Sequence, residues 1–413
     1  MTSKLYLVFF LVVLAFILAV GFLSCGGGSS NDASDNTGDD PDDDDEAFPG
    51  DDDDNDDDND NDDNDDDDNG GPFLDLAVVN EENKNVSILL GNGDGTFEKA
   101  ANFDTGIGSW TITLSDLNGD GDLDMVVVLF TPEDNIVVRL GCGNGSFTDP
   151  LKYNAGEWPR SAAVGDFSGD DIPDLAVSNP ESNDVWILLG NGDGSFQAAV
   201  NYNAGYPSFS IATADFDKDG DLDLATTAID QDRVYILLGR GDGFFFAPDY
   251  YNVGQRPCSI TVGDYDNDLV LDIAVASYHN NNVNILLGNG DGSFQEYSSY
   301  AVGDYPSSIA SGDFDNDSVL DLVTTNEFSD DVSVMLGDGD GTFQNAVSYS
   351  VGERPISVAV GEFNGDEALD LAVANHQSDD ITIRLGNGDG SFQTAVNYDV
   401  GGFPSSIAIG QLD

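Results

Sequence analysis

From Leu74 to the end of the chain, apolar residues fall in short runs separated by Gly, Asn, Asp and Pro, and the runs recur in phase. One kind of run, Val86-Ser87-Ile88-Leu89-Leu90 or Val283-Asn284-Ile285-Leu286-Leu287, leads into a turn of the form Gly-x-Gly-Asp/Asn-Gly-x-Phe. These turns begin at Gly91, Gly141, Gly190, Gly239, Gly288, Gly337 and Gly386, about 49 residues apart. About twelve residues before that run lies a second, such as Leu175-Ala176-Val177 or Ile273-Ala274-Val275. After the turn comes a stretch ending on an aromatic, as in Phe294 to Tyr300, and then a fourth run such as Ser308-Ile309-Ala310 or Ser357-Val358-Ala359-Val360. Runs this short, rich in β-branched and aromatic residues and bounded by turn formers, predict strands. No segment of this region shows helical periodicity. Four strands in a repeat of this length make one blade of a β-propeller, whereas a solenoid coil is shorter.

The phase of the repeat predicts how the ring closes. The chain enters at Leu74-Asp75-Leu76, which matches the second strand of a blade, and leaves at Ser406-Ile407-Ala408-Ile409, which matches the first. Six complete blades lie between, and the seventh is assembled from both ends. Such an exchange removes the two sheet edges that an open arc would expose. The expected fold is all-β, a closed seven-bladed propeller of four-stranded blades over residues 72–413.

Between the first and second strands of each blade the sequence places an acidic loop. Counting loop positions from the first acidic residue, positions one, three, five and nine are Asp116, Asn118, Asp120 and Asp124 in one loop and Asp166, Ser168, Asp170 and Asp174 in the next. The series continues with Asp215, Asp217, Asp219 and Asp223, then Asp264, Asp266, Asp268 and Asp272. It ends with Asp313, Asp315, Asp317 and Asp321, then Glu362, Asn364, Asp366 and Asp370. Oxygens at these positions, with a carbonyl at position seven, can converge on one hard cation. Calcium, which takes six to eight oxygens in flexible geometry, suits them better than magnesium. The alternative is a polar turn whose aspartates cap backbone amides. Recurrence at a fixed phase, and the repulsion among crowded carboxylates without a cation, favour the metal.

These loops, followed by Leu-Leu-Gly-Asn-Gly-Asp-Gly-Ser-Phe, resemble the FG-GAP/VCBS repeat, which builds the propeller of integrin α-subunits and of many bacterial surface proteins. The resemblance runs from about Leu74 to Asp413. It implies seven blades, calcium loops on one face and a role in adhesion or ligand binding. Two departures stand out: loop position six is glycine only at Gly121 and Gly220, and Glu362 replaces Asp at position one.

The first 71 residues are different in kind. Lys4 precedes an unbroken apolar run from Leu5 to Leu23, the layout of an export signal. Leu23-Ser24-Cys25-Gly26 resembles the lipobox of bacterial lipoproteins, in which the cysteine, here Cys25, becomes the lipidated first residue. Phe22 departs from that pattern, and an uncleaved anchor helix is the alternative. Residues 1–24 are read as a lipoprotein-type signal, which predicts a chain exported to the outer membrane or cell surface and held at the membrane by a lipid anchor. Residues 25–71 are mostly Asp and Asn, with little to bury and strong self-repulsion, and are expected to form a disordered spacer.

Charge and composition narrow the function. With 79 acidic and 12 basic residues, the 413-residue chain carries a formal charge of −67, which excludes a nucleic-acid binder working through a basic face. Two histidines, His279 and His376, are read as exposed loop residues, and three cysteines give no disulfide framework. Cys142 and Cys258 fall in blades too far apart to bridge each other. Arg240-Gly241-Asp242 fills the repeated glycine turn and carries no separate meaning. The blades look too alike to present a catalytic set, so no enzyme is expected. The expected function is a calcium-binding surface propeller that binds a glycan or protein ligand, the alternatives being an envelope spacer or a polysaccharide-active enzyme. One repeat position is irregular: the second residue after a Gly in the loops leading into first strands runs Gly108, Trp158, Pro207, Arg256, Tyr305, Arg354, Phe403. Aromatics and arginines suit sugar stacking and anion pairing. Trp158, Arg160, Arg256, Tyr305 and Arg354 are therefore the candidate ligand residues, with blade-gap packing as the alternative.

Overall fold

The computed structural model describes residues 73–202 and 208–413, so the expected signal, Cys25 and the acidic spacer lie outside the described residues. Among the described residues there are 28 strands in seven antiparallel four-stranded sheets, and no helix. Blade 1 comprises Ser109–Ser115, Asp124–Leu129, Ile136–Arg139 and Leu151–Tyr153. Blade 2 is Ser161–Gly165, Asp174–Asn179, Asp184–Leu188 and Val200–Tyr202, and blade 3 is Ser208–Ala214, Asp223–Ala228, Arg233–Leu237 and Asp249–Asn252. Blades 4, 5 and 6 repeat the pattern from Pro257–Gly263, Pro306–Gly312 and Pro355–Gly361. Blade 7 joins Pro404–Gly410 to Asp75–Asn80, Asn85–Leu89 and Ala101–Asp104. Its two chain ends pair antiparallel, Leu76 opposite Ile409 and Val78 opposite Ile407, as the phase of the repeat predicts.

Burial follows strand position. Second strands such as Asp124–Leu129 and Asp370–Asn375 are buried along their whole length, because both faces pack against neighbouring blades. Fourth strands such as Ser298–Ala301 are largely exposed at the rim. Each inter-blade core mixes residues of two blades, as where Val126 and Val138 of blade 1 meet Leu175 and Val177 of blade 2.

The repeated motif residues hold blade to blade. The Phe that closes each glycine turn packs edge-on against aromatics of the preceding blade, as Phe294 does with Phe216 and Tyr251, at centroid distances of 5.5 and 5.3 Å. Such pairs add about 1 kcal/mol beyond their buried area. The turn itself needs glycine: Gly243 has φ +77°, and a Cβ on Gly239 would lie 2.3 Å from the Leu222 carbonyl oxygen. The Gly243 amide then donates to the Phe167 carbonyl of blade 2 at 2.7 Å. Gly292, Gly341 and Gly390 make the same bond to Phe216, Tyr265 and Phe314. Each acceptor sits at position two of an acidic loop, so these four loops are tied to the next blade.

Candidate functional site

Antiparallel order puts the acidic loops and glycine turns on one face. The turns from second to third strands, and the loops leading into first strands, lie on the other.

In the acidic loops the position-one carboxylate organises the turn. Asp116 accepts the amides of Asn118, Gly119 and Gly121, and Glu362, despite its extra methylene, accepts those of Asn364, Gly365 and Asp366. Position six is left-handed whether or not it is glycine, with φ near +66° at Leu269 and +70° at Ser318. Position nine is the first residue of the second strand. Asp223 accepts the Phe216 amide at 2.7 Å and the Gly239 amide at 2.6 Å, locking loop to glycine turn.

Three loops bring three carboxylates together: Asp215, Asp217 and Asp223; Asp264, Asp266 and Asp272; Asp313, Asp315 and Asp321. Within each triad the ligand oxygens lie within 4.8 Å of one another. Such a set of hard oxygen donors fits a metal ion. The position-five residues Asp219, Asp268 and Asp317 stand outside the triads, and each accepts the amide two residues on. In the other three loops position three is Asn118, Ser168 or Asn364, and both asparagines donate to the position-five carboxylate. Burial, reinforced by the neighbouring carboxylates, pushes Asp124, Asp272 and Asp321 up to about 7, and Asp223 and Asp370 up to about 6. Asp174 rises for the same reasons. Backbone amides oppose these shifts without cancelling them. A cation would supply the missing countercharge.

On the opposite face a pocket of about 440 Å³ is lined by the first strands of all seven blades and by the blade 2 arginine just before its first strand. Its geometry comes from a repeated irregularity. The register of the first strand slips at Trp110, Cys258, Ser307, Ile356 and Ser405, and across Phe209 and Ser210 in blade 3. A bulge aims two consecutive side chains to the same side. The bulge residues and the hydroxyls that follow them, Thr111, Ser210, Ser259, Ser308, Ser357 and Ser406, all reach the pocket. Four of those hydroxyls stitch the ring: Ser259, Ser308, Ser357 and Ser406 accept the amides of Ile309, Val358, Ile407 and Ile112 in the next blade.

Arg160, Arg256 and Arg354 line this pocket, whereas Trp158 and Tyr305 are absent from its wall. Trp158 packs on Phe130 at 5.0 Å, and Tyr305 on Tyr278 and Phe328 at 4.9 and 4.7 Å. All four of these ligand candidates other than Arg160 are left-handed, with φ between +53° and +60°. The amides of Arg256, Tyr305 and Arg354 are held by Asp232, Asn281 and Asp330 from the preceding blade, at 2.9, 3.0 and 2.9 Å. Arg160 lies 3.6 Å over Trp110 and 4.6 Å from Phe209, and burial lowers its pKa to about 10, which leaves it cationic at neutral pH. Arg354 pairs with the buried Glu327, which also accepts the Tyr278 hydroxyl at 2.6 Å. Burial and Glu327 together hold that phenol well above its usual range.

Sequence reasoning missed Trp110, Phe209, Cys258, Tyr278, Glu327 and His376, all of which line the pocket. His376 is half-buried and stacks on Phe403 at 5.0 Å, whereas His279 is exposed. Burial pushes the Cys258 thiol up to about 12. Cys142 and Cys258 do not bridge each other.

The FG-GAP-like repeat matches residues 69–127, 116–177, 169–226, 270–324 and 313–373, more than half of the chain. The chain belongs to the FG-GAP-like repeat family. No curated protein matches its sequence. Among solved structures, this FG-GAP-like propeller is similar to an Agrocybe aegerita lectin that recognises non-reducing terminal N-acetylglucosamine, at 19% identity and a TM-score of 0.57. The alignment covers 79% of this chain and 90% of the lectin. It is also similar to the periplasmic gluconolactonase of Pseudomonas aeruginosa, at 14% identity and a TM-score of 0.63, over 83% of this chain and all of that one. At these identities the likeness shows the fold.

The expectation of no enzyme is corrected on two grounds. A ring of the same fold carries a gluconolactonase. The blades are also not alike where it matters, since Arg160, Arg256, Tyr278, Glu327, Arg354 and His376 meet at one pocket of the FG-GAP-like ring. Regularity of the repeat is no ground for excluding catalysis.

Proposed function

We propose that this chain is a calcium-stiffened, exported propeller that presents its arginine-bearing pocket to a glycan or protein ligand. The observation that carries this reading is the pocket, the place where a monotonous repeat becomes chemically irregular. Three of the chain's 12 basic side chains meet there, against a formal charge of −67. A pocket with aromatic walls and a few convergent polar groups is the usual form of a small-ligand site. The test is a screen of surface glycans and proteins against the full chain, in calcium and in chelator. Saturable binding in calcium supports the reading, and no binder at all overturns it. A second reading, turnover of a bound sugar, is favoured by the Tyr278–Glu327–Arg354 set, and product analysis after incubation with each binder tests it.

Calcium would be held by positions one, three and nine of the acidic loops, and would supply countercharge rather than chemistry. A pH signature follows. Asp124, Asp223, Asp272, Asp321 and Asp370 have folded-state values near 6 to 7, against about 4 in an unfolded chain. Between those values the metal-free folded state holds more protons than the unfolded one, so its stability falls as pH rises. Without divalent cations, the melting temperature is expected to drop between about pH 4 and pH 7. Saturating calcium, which binds the ionised form, should flatten or reverse that slope. Equal slopes in both conditions contradict the metal assignment.

The anchor is tested separately. Cys25→Ala is expected to abolish labelling by a fatty-acid analogue and release the protein from membranes. Undiminished labelling of the variant would rule out Cys25 as the lipidated residue.

A further inference from the structure

The pocket is not equally satisfied around its circumference. Glu327 of blade 5 neutralises Arg354, in the loop leading into blade 6, and takes the hydroxyl of Tyr278 from blade 4. From blade 2 to the loop leading into blade 4 the balance is different. Arg160 and Arg256 form no ion pair among the described residues, and the Nε of each, like that of Arg354, is buried without a hydrogen-bond partner. Trp110 and Phe209 pack around the Arg160 guanidinium, leaving its edge to offer N–H donors. Between these arginines stand Ser161 and Ser210, both half-buried and lining the pocket. Among the described residues neither hydroxyl makes the inter-blade bond made by Ser259, Ser308, Ser357 and Ser406.

Buried guanidinium nitrogens are costly to leave unpaired, and the half-buried hydroxyls beside them are free to accept or donate. This arc therefore awaits a ligand that brings an anionic group and hydroxyl oxygens together. The rest of the protein limits what that ligand can be. A dense polyanion is repelled by a chain of formal charge −67, whereas one anionic group entering a cavity of about 440 Å³ is met by the local arginines. A cavity of that size takes a drug-sized unit, roughly one or two sugar rings. We infer that the arc between blades 2 and 4 is a subsite for an acidic sugar at the end of a glycan, with Arg160 and Arg256 on the anion and Ser161 and Ser210 on neighbouring hydroxyls. This inference rests on the ligand-binding reading of the pocket and specifies its chemistry. Carboxylate and sulfate ester share the chemistry a guanidinium edge recognises.

The test titrates the full chain, in calcium, with glucuronic acid, galacturonic acid, galactose 6-sulfate, uncharged glucose and galactose, and a short poly-glutamate peptide. Calorimetry gives affinity, and Trp110 fluorescence, with Trp110→Phe as control, reports occupancy of the pocket. At least one acidic sugar is expected to bind about tenfold or more tightly than its uncharged counterpart, the carboxylate and sulfate arms showing which anion is preferred. Arg256→Gln should weaken that sugar by about ten- to a hundredfold with an unchanged melting temperature. Arg160→Lys, which keeps the charge but loses the fork, should weaken it as well, while Arg240→Gln on the opposite face should not. Uncharged sugars binding as well as acidic ones would overturn the anion subsite while leaving the pocket a ligand site. So would affinities untouched by both arginine variants, or tighter binding of the peptide. Binding of no probe, with the Trp110 signal silent while the wider screen finds binders, also overturns it.

Discussion

Removing calcium is expected to lower the melting temperature by about ten degrees, with recovery on adding calcium but not equimolar magnesium. Each acidic loop joins the first strand of a blade to the second, and its position-nine aspartate locks loop to glycine turn, as Asp223 does through the Phe216 and Gly239 amides. The same loop accepts the next blade's glycine-turn amide, Gly243 to Phe167 and Gly390 to Phe314. Loosening one loop therefore loosens two blades, and the three carboxylate triads fall in consecutive blades 3, 4 and 5. A cation that binds the folded ring and not the unfolded chain stabilises by mass action at every occupied loop. Calorimetry in EGTA, then in calcium or magnesium, measures the effect. An unchanged melting curve after thorough chelation contradicts it.

Deleting residues 404–413 is expected to open the ring and drive aggregation. The last strand makes contacts that no other element replaces. It pairs with Asp75–Asn80, which is buried along its whole length, and buries Ile407. Its hydroxyls reach the Trp110 carbonyl from Ser405, at 2.8 Å, and the Ile112 amide from Ser406, at 3.3 Å. The Leu412 amide donates to Asp75 at 2.7 Å, and the Leu412 carbonyl accepts the Gly145 amide of blade 1. Truncation removes links to blades 1, 6 and 7 together and bares a hydrophobic strand edge. Each of Ile407 and Leu412 alone contributes about 2 kcal/mol of burial. Light scattering and melting of the truncated chain are the measurements. A monomer of undiminished stability would mean that the ring closes in another way.

The ring was legible because strand phase is a property of one dimension. Leu74-Asp75-Leu76 and Ser406-Ile407-Ala408-Ile409 announce second and first strands, and closure follows from their pairing. The acidic loops were legible through spacing, although the position-five aspartates turn toward backbone amides and not into the triads. The pocket was only half legible. Arg256 and Arg354 stood out because residues at their repeat position vary, but Trp158 and Tyr305 share that position and pack against blade-gap aromatics instead. Trp110, Phe209 and Cys258 were hidden for a different reason. They sit in bulges, which shift the period-two alternation from which a strand's facing side is read. Comparing repeats at the position before the hydroxyl, where Trp110, Arg160, Phe209, Cys258, Ser307, Ile356 and Ser405 follow one another, would have found them.

Ligand is expected to enter at the bulged first strands, on the face opposite the acidic loops. Hydrogen exchange of the calcium-loaded chain, with and without the tightest binder from the glycan and protein screen, tests it most directly. Slowed exchange is predicted around Trp110, Arg160, Ser210 and Ser259, with the acidic loops unchanged. Protection confined to the acidic loops, the glycine turns or the outer strands would contradict it.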